Sequence, residues 1–283
     1  MIAATQAAPI TFNTALPVAK DEFMLRQQFI AIESGDDPST VNRNRSEIAS
    51  ITTLAYGVNN KLAVFGVVPY RDIEMKLDMG SQRVRRDSSG LGDITAFGRY
   101  IFHQNNQQGR SFRLAAFGGV KTPTGDDNSS DQFGILPPPV QTGSGSWDIF
   151  GGMVVTQQTL AYQFDGQLSY RVNNEAHDFE AGNVFRSDGS FQYRVWPRIL
   201  SGSVPGFLYG VLEANLIYQE KNQINGGNDP NSGGTRLFIS PGIQYVTRRW
   251  ILEGSVQLPV RQELNGNALE NDKIARAGFR VNF

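Results

Sequence analysis

Residues 160–172 read LAYQFDGQLSYRV. One face of that stretch is Leu160, Tyr162, Phe164, Gly166, Leu168, Tyr170 and Val172. The other is Ala161, Gln163, Asp165, Gln167, Ser169 and Arg171. Alternation with a period of two puts successive side chains on opposite faces of a strand, so this strand is apolar on one side and polar on the other. Soluble strands run to ~5–6 residues, and this one is about twice as long. At a rise of ~3.3 Å per residue and a tilt of ~40°, ten residues climb roughly 25 Å, the height of an outer-membrane apolar band.

Working outward, strand character recurs over 23–33, 46–57, 61–70, 92–102, 112–121, 146–156, 182–196, 207–220, 236–247, 249–260 and 272–283. In 182–196, Arg186, Asp188, Ser190, Gln192 and Arg194 oppose Phe185, Phe191, Tyr193 and Val195. In 249–260, Glu253, Ser255 and Gln257 oppose Trp250, Leu252, Val256 and Leu258. In 272–283, Arg276, Arg280 and Asn282 oppose Ala275, Ala277, Phe279, Val281 and Phe283. The stretches 23–33 and 46–57 divide less cleanly, with apolar residues on both faces.

The connections alternate too. Residues 34–45, 71–91, 122–145, 173–181, 221–235 and 262–271 form long links rich in Gly, Asn, Asp and Pro, such as NGGNDPNSGG. Links at 58–60, 157–159 and 248 are tight, and those at 103–111 and 197–206 are intermediate. Long strands joined by alternately short and long links predict an all-β fold: a transmembrane, antiparallel, up-and-down β-barrel of twelve strands. Its short turns are expected on the periplasmic side and its long loops outside. In lipid every backbone donor and acceptor needs a partner within the protein, and a closed barrel supplies it. Tyr56, Tyr70, Tyr100, Trp147, Tyr162, Tyr170, Trp196, Tyr209, Tyr218, Tyr245 and Trp250 cluster toward strand ends, where interfacial girdles form.

Composition narrows the class. The 283 residues carry 26 Lys+Arg against 27 Asp+Glu, so bulk charge does not recruit nucleic acid. The absence of cysteine excludes disulfides, thiolate metal sites and a Cys nucleophile. Apolar runs are only a few residues long, far short of the ~20 of a spanning helix. The N-terminal MIAATQAAPITFNTALPVAKDEF lacks the basic and apolar regions of an intact signal peptide. It reads as a mature chain with its starting Met or as the small-residue tail of a signal. Residues 1–22 are therefore set apart from the barrel, 23–283. With Ile10, Phe12, Leu16 and Val18, they either thread the lumen as a plug or hang in the periplasm.

Three motifs carry a family resemblance: GLGDITAFGRYIF (90–102), GGVKTPTGDD (118–127) and ISPGIQYVTRRWILEGSVQLPV (239–260). Together they resemble the outer-membrane proteins named for the meta-pathway of phenol degradation, over residues 90–283. The resemblance implies a Gram-negative outer-membrane barrel with a role in uptake of hydrophobic or aromatic compounds, and it supplies no catalytic residues. The closing NDKIARAGFRVNF is similar to the C-terminal signal read by the barrel-assembly machinery. The motifs also have a physical reading. Glycines at 90 and 92 permit a positive φ at a loop-to-strand junction, Asp93 can accept backbone amides, and Pro123 and Pro259 mark points where strands leave the ladder.

Little here points to catalysis. The two histidines fall far apart, His103 at a short-turn end and His177 in a long loop, so neither a hydrolase triad nor a histidine metal site is expected. Asp126, Asp127 and Asp131 lack calcium-loop spacing. No cofactor is expected. Charges at mid-membrane cost about 2 to 4 kcal/mol each if they face lipid. Hence Arg99, Arg113, Lys121, Asp165, Arg171, Arg186, Asp188, Arg194, Glu213, Glu253, Arg276 and Arg280 are expected to line the lumen. Either these charges pair and fill the interior, or they line a narrow aqueous path with a cationic bias. Glu213 and Glu253 are expected among Arg186, Arg194, Arg236, Arg276 and Arg280. Arg83, Arg85 and Arg86, in the expected loop 71–91, form either a solvated charge run or a contact for lipopolysaccharide phosphates.

The expected function is a channel for small hydrophobic or aromatic solutes. Its partners would be outer-membrane lipid and lipopolysaccharide, the assembly machinery and the solute, with no nucleic acid. The alternative is a non-transporting barrel that binds a partner through its outer loops.

Overall fold

The computed structural model describes residues 6–199 and 206–283. Their long strands are β1 (Phe23–Ser34), β2 (Asn44–Gly57), β3 (Leu62–Met79), β4 (Gln82–Leu91), β5 (Thr95–Gln107), β6 (Arg110–Lys121) and β7 (Asp148–Thr159). There follow β8 (Tyr162–Val172), β9 (Val184–Trp196), β10 (Phe207–Gln219), β11 (Gly234–Val246), β12 (Trp250–Leu264) and β13 (Lys273–Asn282). Each pairs antiparallel with its neighbours, and β13 returns to β1, with Met24 opposite Asn282 and Glu33 opposite Lys273. The sheet closes on itself, and among the described long strands only β4 has a single strand partner, β3.

These strands fill twelve positions around the barrel, because β4 and β5 share one. The first part of β3 pairs with β5 (Leu62 opposite Tyr100), and its continuation pairs with β4 (Tyr70 opposite Leu91). The expected loop 71–91 is therefore a continuous hairpin, turning at Gly80 with φ 64°. The reason lies in its pattern. From Asp72 onward the polarity is reversed: Ile73, Met75 and Val84 are buried inward while Asp72 and Lys76 point out. Charges on the outer face place this hairpin above the lipid.

Other boundaries shift likewise. The expected link 103–111 is a two-residue turn at 108–109, because β5 continues past a bulge at Ile101/His103. His103 is thus a strand residue. Below the mouth the outer surface is apolar, with Leu54, Val64, Met153, Leu168, Leu212, Ile243 and Leu252 all exposed. Tyr209 does not belong to the girdle: it faces inward and packs with Ala7, Val246 and Ile251.

The long link 122–147 folds inward instead of standing free. Leu136 and Val140 pack on Ile73 and Met75 of the hairpin. Arg86 grips the loop by donating to both oxygens of Asp131 (2.8 and 2.9 Å) and to the carbonyls of Gly134 and Ile135. The motif glycines are needed here for closeness. Gly92 has no positive φ, but a Cβ on it would lie 3.1 Å from Pro69 Cγ and from the Thr142 carbonyl. A Cβ on Gly125 would lie 2.7 Å from Gly143 Cα. Asp93 joins the segments by accepting the amides of Gly125 (3.0 Å) and Ser144 (2.9 Å).

Candidate functional site: a two-sided lumen and its inner segment

The inner wall has two sides. From β8 to β13 it is polar, with Gln163, Asp165, Gln167, Asp188, Ser190, Gln192, Glu213, Asn215, Ser240, Gln244, Glu253 and Gln257 all buried. From β2 to β7 much of it is apolar, with Ala49, Ala55, Ala63, Phe65, Ile101, Ala115, Phe117 and Val154 buried. Four phenylalanines form a patch on this side. Phe65 and Phe97 stack at 4.5 Å, and Phe97 meets Phe117 (6.4 Å) and Phe150 (6.0 Å) edge-on. Two glycines make room for it. A Cβ on Gly119 would lie 2.4 Å from Phe97 Cβ, and one on Gly152 would lie 2.6 Å from Phe117 Cζ.

Residues 6–19 lie inside the barrel and touch both sides. The polar wall holds their backbone. Glu213 accepts the Ile10 amide (2.7 Å), the Thr11 amide (3.1 Å) and the Thr11 hydroxyl (2.6 Å). Gln167 accepts the Asn13 amide (3.2 Å), and Thr156, on the adjoining β7, accepts that of Ala15 (2.8 Å). Gln244 both accepts from Ala8 and donates to it. Against the apolar wall, Ala15 packs with Ile101, Ala115, Phe117 and Val154, and Val18 with Ala55, Ala63 and Phe65. The chain leaves the lumen beside Gly57, where a Cβ would lie 1.9 Å from the Ala19 carbonyl.

Each predicted charge has a definite place. Asp165 accepts from Thr14 (2.9 Å) and Gln163 (2.7 Å), and Asp188 accepts from Arg186 (3.0 Å) and Asn215 (2.8 Å). Glu253 takes Arg26 (2.6 Å), Gln28 (2.9 Å) and Gln244 (3.1 Å). Glu213 differs from expectation, since its acceptors are spent on Ile10, Thr11 and Ser190 and no arginine reaches it among the described contacts. Arg99 donates to the Leu16 carbonyl and Arg280 to that of Gln6. Arg276 donates to Gln257 (2.9 Å). Arg113 bonds Ser111 (2.8 Å), and Arg194 stacks over Phe207 (5.6 Å). Lys121 bridges Asp93 (3.2 Å) and Asp148 (2.6 Å) at the mouth.

Two spaces remain. An inner cavity of about 490 Å³ lies between residues 6–18 and the wall. Its lining includes all four phenylalanines and five arginines: Arg26, Arg99, Arg171, Arg186 and Arg280. A second cavity, of about 740 Å³, lies under the folded loop 122–147, among Glu47, Arg71, Lys121, Leu136, Pro138 and His177. Arg171 lines both, so the two spaces meet at its side chain. Of the predicted charges, the structure brings Arg99, Arg171, Arg186 and Arg280 to the inner cavity and puts Lys121 in the outer one. The phenylalanine patch was missed. Its signal was parity: Phe97 precedes Arg99 by two, Phe117 precedes Lys121 by four, and Phe150 follows Asp148 by two.

At the outer rim Arg83 pairs with Asp78 (2.9 Å), Arg85 with Glu74 (2.7 Å) and Arg86 with Asp131. The Arg86 hydrogen bond holds the Asp131 carboxyl below the usual carboxylate range. No group of three potential metal ligands occurs among the described residues.

No curated protein matches this sequence. Among solved structures, an outer membrane channel from Pseudomonas putida F1 superimposes with a TM-score of 0.72 at 14% identity, covering 98% of this chain and 100% of that one. The β domain of the Bordetella autotransporter BrkA gives a TM-score of 0.54 at 10% identity, covering 93% of this chain and 100% of that one. The fold is that of bacterial outer-membrane barrels. The family model described as "Putative MetA-pathway of phenol degradation" matches residues 35–264. That span takes in every long strand but the first and the last, and the chain belongs to this family.

Proposed function

We propose that this outer-membrane barrel is a channel for small hydrophobic or aromatic solutes, entered from the mouth under loop 122–147 and regulated in width by residues 6–19. The observation that carries this reading is the phenylalanine patch on the inner wall. Phenyl groups facing a lumen gain nothing from lipid and are costly to leave in water, roughly 25 cal/mol per Å² of apolar area. A ring sliding over Phe97 and Phe150, the half-buried rings of the patch, would replace that water and stack edge-on or offset. The cavity volume of about 490 Å³ suits a small organic solute. The outer membrane channel from Pseudomonas putida F1 supports the barrel reading by fold.

The test is entry of labelled phenol into Gram-negative cells stripped of other channels, where the outer leaflet blocks direct permeation. Producing this protein should raise the initial rate, and Phe97→Ser with Phe150→Ser should lower it again. No rise on producing a correctly assembled barrel would overturn the reading.

A further inference from the structure

We propose that the inner cavity selects aromatic carboxylates, the ring lying on the phenylalanine patch and the carboxylate meeting Arg171. This deepens the channel reading above and rests on it. Three observations carry it.

The first is the lining. The cavity presents five arginines and no aspartate or glutamate. Arg26 is neutralised by Glu253 and Arg186 shares Asp188, while Arg99 and Arg280 are spent on backbone carbonyls of the inner segment. Arg171 is different. It makes no hydrogen bond or ion pair among the described residues, although it sits at the junction of the two cavities. The second is its neighbour. Arg171 stands directly across the β7–β8 ladder from Phe150, the edge of the aromatic patch. Side chains of such a pair lie ~4.5–5.5 Å apart at Cβ, so a guanidinium and an aromatic platform are presented side by side. The third is a spare donor close by. Arg186 is opposite Ser169, two residues before Arg171, and its buried Nε has no partner.

A free guanidinium fork beside an apolar platform matches a ligand with a planar anion at the end of a ring. Arg offers two parallel N–H donors to a carboxylate, and the ring supplies apolar area. A neutral arene would use the patch and leave Arg171 idle. A small aliphatic anion would do the reverse.

The experiment is calorimetric titration of the full chain in lipid nanodiscs, with heats on empty nanodiscs subtracted. The probes are benzoate, benzyl alcohol and acetate. Benzoate should bind at least tenfold more tightly than either of the others. In Arg171→Gln the benzoate-to-benzyl-alcohol ratio should collapse toward one, and Arg171→Lys, which keeps the charge without the fork, should fall between. If R171Q does not assemble, the R171K ratio carries the test, and an undiminished ratio there overturns the role of the fork. Equal binding of benzoate and benzyl alcohol in the native chain overturns the proposal while leaving the aromatic channel standing. Acetate binding as tightly as benzoate would mean a plain anion site and would overturn it too. Binding of no ring compound would count against the channel reading itself.

Discussion

The half of the barrel from β8 to β13 and the half from β2 to β7 are built on opposite principles inside the same apolar coat. The first fills its inner face with amides, hydroxyls and carboxylates that bond to one another and to residues 6–15. The second presents mainly alanines and phenylalanines, on which the same segment packs, and bonds to its backbone through Thr156 and Arg99 at residues 15 and 16. The difference separates two tasks. A hydrogen-bonded wall fixes a segment in one register, because each buried donor left without an acceptor costs about 1–3 kcal/mol. An apolar wall has no such register and gives way to any apolar surface of suitable size. Residues 8–13 are thus anchored on the polar side, and the apolar side holds the segment by packing and by the bonds of Thr156 and Arg99 at residues 15 and 16.

The comparison breaks most visibly at Glu253. Its side chain is 4% exposed, and it is the counter-ion of Arg26, which is 18% exposed. Glu253→Gln leaves that guanidinium without its carboxylate. Stability should fall by ~3–5 kcal/mol, as for other buried pairs broken on one side. A urea titration of folding into lipid vesicles reads this. A loss near the ~0–1 kcal/mol of solvated pairs would mean that water fills the polar half and the wall there is not a packed network.

One step down is the outer coat of the same half. Leu168 is exposed and its neighbour Gln167 is buried inward. Leu168→Arg should cost ~2–4 kcal/mol near mid-bilayer. Gln167→Arg should cost less, because the new cation would stand beside Asp188, which already accepts from Gln167 at 3.1 Å. Equal midpoints in the same titration would show that the two faces of β8 are assigned wrongly.

These two halves were not equally legible. The polar half could be read residue by residue, because charges and amides alternate with apolar groups along 160–172, 182–196 and 249–260. Stretch 46–57 looked irregular for a physical reason that now has a form: Ala49 and Ala55 are apolar inward while Ile48 and Leu54 are apolar outward. Period two carries no signal when both faces are apolar. The hairpin 70–91 was hidden by its reversed polarity, and the inward side of Phe97, Phe117 and Phe150 shows only in the parity they share with Arg99, Lys121 and Asp148. The partners of Glu213 had no local signal at all, being backbone amides about two hundred positions away.

That contact sharpens the comparison by a smaller effect. Glu213→Gln replaces one of two acceptor oxygens with an NH₂ group. The Ile10 and Thr11 amides then compete for one oxygen, at a cost of ~1–3 kcal/mol to the anchoring of the segment. Amide exchange at Ile10 and Thr11 should quicken, and conductance in planar bilayers should rise or flicker. Replacing Phe117 with Leu should leave that exchange protected, because the apolar wall does not hold those amides. If both variants loosen the segment alike, the division of labour between the walls is wrong.

The smallest effect lies outside the lumen, in the link between β1 and β2. Burial of Asp37 opposes its ionisation, but hydrogen bonds from Arg43 and Ser39 outweigh it and hold the carboxyl well below the usual carboxylate range. The Arg43–Asp37 bridge is 2.6 Å long, and Arg43 also reaches the Asn267 carbonyl, tying this link to the one before β13. The sign follows from linkage. A carboxyl whose folded pKa is depressed adds its full stability above the unfolded value, about 3.9, and loses it progressively as pH falls from there through the lower folded value. Exchange at the Arg43 amide, which donates to Asp37 at 2.6 Å, should therefore stay protected from pH 7 down to about 4. Protection should weaken progressively below that and be gone once the folded Asp37 takes up its proton. Asp37→Asn should open it already at neutral pH, with both lumen walls unchanged. Opening of the link together with release of residues 6–19 would show that the outer rim and the inner segment are one cooperative unit, and that the contrast between the two walls does not act alone.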